Sequence, residues 1–503
     1  MSMIEAKKLT FAYEGGFDNI FEDVSFCIDT DWKLGLTGRN GRGKTTLLKL
    51  LEGRYPYGGS ITASVDFEYF PYEVSDPEAL AENVIAGILG DYQNWELVRE
   101  LSLLGLMEEA LHRPFRTLSN GEKTKLLLAA LFLRENAFLL IDEPTNHLDI
   151  EGRETVSRYL NSKKGFILVS HDRTFLDGCV DHMMSINKTD IEIQKGNFSS
   201  WQRNKERQDS FELAKNEVLK KDIRRLETAA KRSADWADKV EKTKFGTRNS
   251  GLKPDRGYIG SKSARMMKRS KTIENRRGEE IGEKAKLLGN IEDCGELKLF
   301  PLGYFTDRLL SLDEVSICYG GRAVCRGLSF EIVRGDRIAL RGKNGSGKSS
   351  ILKLICGENI EHTGKLQTGS RLILSYVPQD TSFLRGSLSD YALKSGIDES
   401  LFKAMLRKLD FSRAQFEKDM SDFSEGQKKK TLIARSLCER AHLYVWDEPL
   451  NFVDVVSRIQ IEKLLSECGA TMLFVEHDAE FCRKTATKTV ELQALPSGAQ
   501  ACR

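Results

Sequence analysis

Residues 32–51 read WKLGLTGRNGRGKTTLLKLL, and this stretch decides the fold. A short apolar strand runs into Gly38, a glycine-rich turn follows, and a helical pattern begins at Lys44. G-x-x-x-x-G-K-[ST] between a strand and a helix is a phosphate-binding loop. Gly38, Asn40, Gly41 and Gly43 let backbone N–H groups close around phosphates. The start of the helix, Lys44, Thr45 and Thr46, adds a favourable dipole. Lys44 is expected to reach the β- and γ-phosphates, and Thr45 to ligate Mg²⁺. Residues 337–355, RIALRGKNGSGKSSILKLI, repeat the pattern. Gly342, Asn344, Gly345 and Gly347 form the second loop, and Lys348, Ser349 and Ser350 open its helix.

The repetition extends along the chain. GRNGRGKT, LSNGE, LLIDEP and SHD of the first half return in order as GKNGSGKS, FSEGQ, YVWDEP and EHD. The spacing from Gly38 to Gly342 is 304, from Ser119 to Ser424 305, from Asp142 to Asp447 305, and from His171 to His477 306. A nearly constant offset over four motifs marks an internal duplication of whole domains.

FLLIDEP and LYVWDEP are apolar strands that end in two acids, the Walker B pattern. Asp142 and Asp447 are expected to help hold Mg²⁺, and Glu143 and Glu448 to orient or deprotonate the attacking water. Phosphoryl transfer asks for such positioning and charge neutralisation. His171 and His477 follow strand-like runs and read as γ-phosphate contacts, although a histidine at a strand end often has a structural role. Tyr13 and Tyr319, 306 residues apart, lie upstream of the two loops. They are candidates to stack on a base, with core packing as the plainer alternative.

Between the repeats the composition changes. Residues 203–290 hold 25 Lys and Arg against 14 Asp and Glu, while the whole chain carries +2. Residues 205–240 contain neither Pro nor Gly, and Leu219, Ile223, Leu226 and Ala230 form one helical stripe. A second helix is expected from about 261 to 288. Together they read as an antiparallel hairpin, its first arm roughly 50 Å long at 1.5 Å per residue. The tip, about 241–262, carries Lys242, Lys244, Arg248, Lys253, Arg256 and Lys262, with Phe245 and Tyr258 among them. Such a tip suits RNA phosphates and bases; a solvated charged hairpin is the bland reading.

No apolar run exceeds the eight residues 126–133, far short of the roughly 20 that span a bilayer. The N-terminus shows no apolar signal core, so no secretion is expected. Ten cysteines stand singly with no C-x-x-C pair, which argues against zinc and a disulfide framework and suggests a reducing cytoplasm.

These motifs resemble the ABC ATPases over both repeats. LSNGE and FSEGQ are similar to the LSGGQ signature of that superfamily. The resemblance implies an α/β fold: two P-loop ABC nucleotide-binding domains, 1–200 and 306–503, joined by a helical hairpin linker, 201–305. It also implies head-to-tail pairing. Ser424 and Gly426 would complete the ATP site of Lys44, and Ser119 and Gly121 that of Lys348. ATP with Mg²⁺ would close the pair and hydrolysis would reopen it, within one monomer. Tandem domains, a charged helical linker and PTNHLD are similar to the ABC-F subfamily. WDEPLNFVD, the LGLTGRNGRGKTTLL opening and ARMMKRSK resemble its Lsa-type antibiotic-resistance branch. From Pro71 to Ser119 is 48 residues and from Pro378 to Ser424 is 46, so no arm is inserted in the first domain. The branch implies binding at the exit site of the bacterial ribosome. The tip would approach peptidyl-tRNA and large-subunit rRNA, and protection would extend to lincosamides, streptogramin A and pleuromutilins. The alternatives are a housekeeping or stress translation factor and, less favoured, the ATPase subunit of a membrane transporter. Neither DNA nor a membrane is an expected partner.

Three positions depart from the family pattern. YVPQ supplies Gln379 as a Mg²⁺ ligand, whereas YFPYE places Tyr72 there, with Glu73 beside it. FSEGQ places Glu425 where a small residue is usual, close to the ATP of Lys44. Both fall on one composite site, so the two sites are expected to be unequal. Pro254 stands near the tip where the Lsa-type proteins carry an aromatic.

Overall fold

The computed structural model describes residues 2–13, 19–72, 74–146, 148–187, 190–242, 268, 297–319, 322–343 and 345–492. The tip candidates Lys244, Phe245, Arg248, Lys253, Pro254, Arg256, Tyr258 and Lys262 lie outside them. So do Glu73, Asn344, nearly all of the expected second linker helix, and the tail after Leu492. The chain divides into two compact units, Met1–Trp201 with Cys294–Arg503, and Gln202–Asp293.

In the first half, β1 (Met3–Phe11), β2 (Phe21–Asp29) and β4 (Gly58–Thr62) form an antiparallel sheet in the order β2-β1-β4. A six-stranded sheet takes β3 (Lys33–Gly38), β5 (Asp66–Phe70), β6 (Ala137–Asp142), β7 (Phe166–Val169), β8 (His182–Ile186) and β9 (Ile191–Lys195). Its order is β5-β6-β7-β3-β8-β9, parallel except at β8–β9. The second half repeats this with β10 (Arg308–Tyr319), β11 (Arg322–Val333) and β13 (His362–Thr368) in the small sheet. Its parallel sheet runs β14-β15-β16-β12-β17, from β12 (Arg337–Arg341), β14 (Leu374–Val377), β15 (Leu443–Asp447), β16 (Met472–Val475) and β17 (Lys488–Glu491).

The central strands are apolar throughout because both faces of a parallel sheet are covered. In β6, Leu139 and Ile141 join the core that packs Leu126 and Leu128, while Phe138 and Leu140 join the core around Leu47 and Leu48. In β15, Tyr444 and Trp446 face one core and Leu443 and Val445 the other. Burying each such side chain contributes roughly 1.5–3 kcal/mol. These strands bring the Walker B acids to the ends that point at the phosphate loops.

Helix α1 (Lys44–Leu51) follows Gly43, whose φ of 89° lies in the left-handed region. A Cβ there would stand 2.6 Å from Ile20 Cγ2 and 2.9 Å from Phe21 Cζ, so only glycine fits. Helices α2 (Ala81–Leu89) and α3 (Asn94–Leu103) lead to α4 (Asn120–Leu131), which begins at the LSNGE motif. Ser119 accepts from Glu122 N at 3.2 Å, and Glu122 accepts from Ser119 N at 2.7 Å. This reciprocal capping box fixes the helix start. Ser424 and Gln427 build the same box at the helix Glu425–Cys438. The first half continues through α5 (Ile150–Asn161) and α6 (Arg173–Cys179).

Helix α7 covers Phe198–Lys242, 45 residues, or about 68 Å of rod. It begins seven residues before the expected start. Asn197 Oδ1 accepts from Ser200 N at 3.1 Å, and Phe198 is buried in the first-half core with Trp201 against it. Lys242 is its last residue. Residues 297–305, read from sequence as linker, pack instead in the second half: Leu297 and Tyr304 are buried, and Leu302 N donates to Ala441 O at 2.8 Å. Among the described residues no helix is long and apolar enough to cross a membrane. Among the described residues seven cysteines are free, and Cys318 is disulfide-bonded.

Candidate functional site

A cavity of about 1050 Å³ opens over Lys348, and its walls come from both halves. Gly345, Gly347, Lys348, Ser349, Ser350, Gln379, Glu448 and His477 line one side, and Ser119, Gly121 and Lys125 the other. The signature of the first half therefore faces the phosphate loop of the second, as head-to-tail pairing requires. Lys348 Nζ donates to Gly342 O at 2.9 Å and to Lys343 O at 3.0 Å. Ser349 Oγ donates to Asp447 Oδ1 at 3.1 Å. Asp447 is fully buried, burial pushes its carboxyl up to about 6, and its Oδ2 has no hydrogen-bond partner. An unsatisfied buried carboxylate oxygen beside a hydroxyl fits a hard cation such as Mg²⁺.

Glu448 gathers three donors: Gln379 Nε2 at 2.8 Å, Asn451 Nδ2 at 2.7 Å and His477 Nε2 at 3.2 Å. Burial pushes its carboxyl up, but the bond and charge of His477, with Lys348 and Lys429, outweigh it and the net shift is downward. Asn451 was not among the sequence candidates, although its counterpart Asn146 stands 305 residues earlier in PTN. Both glutamates hold a left-handed backbone, Glu143 at φ 51° and Glu448 at φ 46°. Such strain in a non-glycine residue costs on the order of 1–3 kcal/mol and clusters at functional sites.

At the Lys44 side the halves are in direct contact. Asn40 Nδ2 donates to Phe452 O of the second half at 2.8 Å, and Arg39 pairs with Asp410 at 2.9 Å. Gly426 sits against this contact: a Cβ there would stand 2.4 Å from Phe452 O and 2.7 Å from Asn40 Nδ2. Lys44 Nζ donates to Gly38 O at 2.7 Å and Arg39 O at 3.2 Å, and Thr45 Oγ1 to Asp142 Oδ2 at 2.7 Å. His171 Nε2 lies 3.2 Å from Glu143 Oε1, but that oxygen has no hydrogen-bond partner. Burial and then the Asp142 charge raise the Glu143 carboxyl to about 8, against the pull of Lys44 and of Arg458 from the second half. Burial, then Lys44 and Arg458, push the imidazolium of His171 well down. The two glutamates thus sit in opposite electrostatic settings.

Two expectations about this site change. Tyr72 does not take the place of the missing glutamine: its ring packs against the first-half core and its hydroxyl donates to Glu68 Oε2 at 3.3 Å. The strand before it supplies Tyr69, whose hydroxyl donates to Asp142 Oδ2 at 3.1 Å, while the matching Tyr376 hydroxyl has no partner. Glu425 does not point at the Lys44 loop. It accepts from Thr381 Oγ1 at 2.6 Å and pairs with Lys428 at 3.2 Å, both in its own half. Leu450 stands where the first half has Thr145, and Glu476 accounts for the change. In the first half Thr145 and Ser170 bond at 3.1 Å; in the second, Glu476 Oε1 accepts from Leu450 N at 2.7 Å. Tyr13 and Tyr319 are half-exposed, and their hydroxyls bond Thr46 Oγ1 at 2.9 Å and Ser350 Oγ at 3.2 Å. The Tyr13 ring also meets Phe11 and Tyr55 edge to face, with centroids 5.0 and 5.7 Å apart.

The family model described as ABC transporter matches residues 21–146 and 325–451. ATP-binding protein Uup of Caulobacter vibrioides is 28% identical over 95% of this chain and 75% of its own length. Ribosome protection protein VmlR of Bacillus subtilis is 28% identical over 94% of this chain and 84% of its own. Probable ATP-binding protein YheS of Escherichia coli is 27% identical over 93% and 75%. Among solved structures, the archaeal ribosome recycling factor aABCE1, in complex with stalk protein aP1, superposes with a TM-score of 0.63. It is 18% identical and covers 97% of this chain and 88% of its own. RNase-L Inhibitor gives 0.61 at 17% identity, over 99% and 91%. These two share the fold of paired nucleotide-binding domains. The duplicated phosphate loops, Walker B acids and signatures, facing one another across the halves, belong to an ATP-binding ATPase: the chain belongs to the ABC transporter family, in tandem form, and fits its ABC-F group.

Proposed function

We propose that this protein is a cytoplasmic ATPase that binds the bacterial ribosome when ATP holds its halves together. The observation that carries this reading is the match to a ribosome protection protein along 94% of the chain. The residues fit ATP and Mg²⁺. Lys44 and Lys348 would neutralise phosphate charge, and Thr45 with Asp142 and Ser349 with Asp447 would hold the metal, Gln379 joining at the second site. Glu143 and Glu448 would orient water, His171 and His477 would touch the γ-phosphate, and Tyr13 and Tyr319 would stack on adenine. Mg²⁺ supplies charge neutralisation at the transferred phosphoryl group. Because ATP contacts both halves only when they are closed, its binding energy favours closure. The basic residues of the linker would meet RNA, and the Lsa-type resemblance extends the reading to protection of the peptidyl-transferase region from lincosamides, streptogramin A and pleuromutilins.

The Glu143→Gln, Glu448→Gln double variant with ATP is expected to co-sediment with bacterial ribosomes, and the wild-type protein without nucleotide is not. Failure of the double variant to co-sediment would overturn the ribosomal reading. Expression in a susceptible bacterium separates its two forms: a several-fold rise in inhibitory concentration for one of the named drug classes supports protection. An unchanged concentration with ribosome binding intact supports a housekeeping or stress factor.

A further inference from the structure

Between the halves lies a group of buried charges centred on Arg173, which neither lines the cavity nor joins a hydrophobic core. Arg173 opens α6, two residues after His171, and is only 4% exposed. Its guanidinium crosses into the second half, donating to Glu462 Oε2 at 2.5 Å and lying 3.6 Å from Asp478 Oδ2. Asp478 is 1% exposed, directly follows His477, and caps the helix Ala479–Thr485 by accepting from Phe481 N at 2.9 Å. The same Oδ2 lies 3.6 Å from Arg458 Nη1. The other oxygen of Glu462 is held by Lys484 at 2.7 Å.

The first half has the inner pair without the bridge. Arg153 reaches Asp172 at 2.8 Å, the counterpart of Arg458 and Asp478. In the second half that pair stands at 3.6 Å, and Asp478 faces the Arg173 guanidinium at the same distance. The residue matching Arg173 is Ala479, and the one matching Glu462 is Ser157, so the matching positions cannot form a reciprocal bridge. A rigid five-donor fork buried between two acids fixes relative position more than it adds stability.

We propose that Arg173 is a positioning residue that acts across the halves: from the loop carrying His171 it fixes Asp478, and through it His477 beside Glu448. The ATP site of Lys348 then reaches its working geometry only when the first half is docked; the Lys44 site meets the second half through Arg39, Asn40 and the charge of Arg458, and has no arginine bridge of this kind. This rests on the ATPase reaction and not on the ribosomal reading.

The test is ATP turnover by the full chain. Arg173→Met is expected to lower kcat about tenfold with KM for ATP changed less than about twofold, the mark of misplaced groups and not of lost binding. Arg173→Lys, which keeps the charge, should recover most of that loss, and Glu462→Gln, made in the other half, should reproduce it. Arg173→Met should cost nothing further on a His477→Ala background and its full factor on His171→Ala, since residues in one chain of contacts are non-additive. An unchanged kcat, a loss that adds to His477→Ala, or a loss that vanishes on His171→Ala would overturn the proposal. If Arg173→Met fails to fold, Glu462→Gln carries the same comparison with the same expected signs.

Discussion

Replacing Gly426 by aspartate is expected to cut ATP turnover by about a hundredfold, although Gly426 lies in the opposite half from the phosphate loop it faces. The reason is spatial first. The hydrogen it carries is all that fits between Phe452 O and Asn40 Nδ2, 2.4 Å and 2.7 Å from where a Cβ would stand. A side chain must push the Asn40 loop away from the second half, and displacement of reacting groups by about 1 Å can cost about 10²-fold in rate. The reason is also electrostatic. Gly426 occupies the first turn of the helix Glu425–Cys438, whose N-terminal N–H groups favour an anion, and a carboxylate there repels phosphate. Steady-state phosphate release checks this. Because the displaced Asn40 loop also parts the halves, the Lys348 site loses its docked geometry as well, and turnover within about threefold of wild type would mean that Gly426 does not govern how the halves close.

Lys430→Met should lower stability by about 3–5 kcal/mol, the usual cost of removing one partner from a buried ion pair. Lys430 is 1% exposed and Asp454 0%. The ammonium lies 2.5 Å from Asp454 Oδ2 and donates to Leu409 O at 2.9 Å. Asp454 caps its helix through Ser457 N at 2.9 Å, so its charge cannot simply move to solvent. In the first half the matching Lys125 lines the cavity and makes no ion pair among the described residues, so Lys125→Met should cost less than about 1 kcal/mol. Burial alone would raise the Asp454 carboxyl, but Lys430 outweighs it and holds it far below the usual range. A depressed carboxylate contributes stability above its unfolded value, near 3.9, and loses it as pH falls toward the folded value. The gap between Lys430→Met and wild type should therefore be full at pH 7 and narrow below about pH 4. Thermal melts at both pH values check this; equal shifts for the two lysine variants would contradict it.

The duplication and both phosphate loops were legible because motif order and spacing survive without any knowledge of the third dimension. The strands carrying Asp142 and Asp447 were legible for the same reason, as unbroken apolar runs. The helix Phe198–Lys242 was legible in its middle and not at its start, since Phe198 and Trp201 pack into the first-half core and break no helical stripe of the linker's own. Residues 297–305 escaped because their apolar side chains fill a site in the second half, which a local reading takes for linker. Tyr72 and Gln379 both follow a Tyr-x-Pro, but the Tyr72 side chain turns into the core, and Tyr69 is the residue that reaches Asp142. Glu425 misled in the same way, finding Thr381 before the phosphate. The left-handed glutamates and the reach of Arg173 to Glu462 leave no trace in composition or period. They exist only once two halves, some 300 residues apart in sequence, are brought together.

The central claim is that each ATP is shared, held by the loop of one half and the signature of the other. A structure of the Glu143→Gln, Glu448→Gln variant with ATP and Mg²⁺ tests it most directly. Ser119 and Gly121 should lie within hydrogen-bond distance, about 3 Å, of the γ-phosphate of the nucleotide on Lys348. A nucleotide there touched by second-half residues alone would contradict the account.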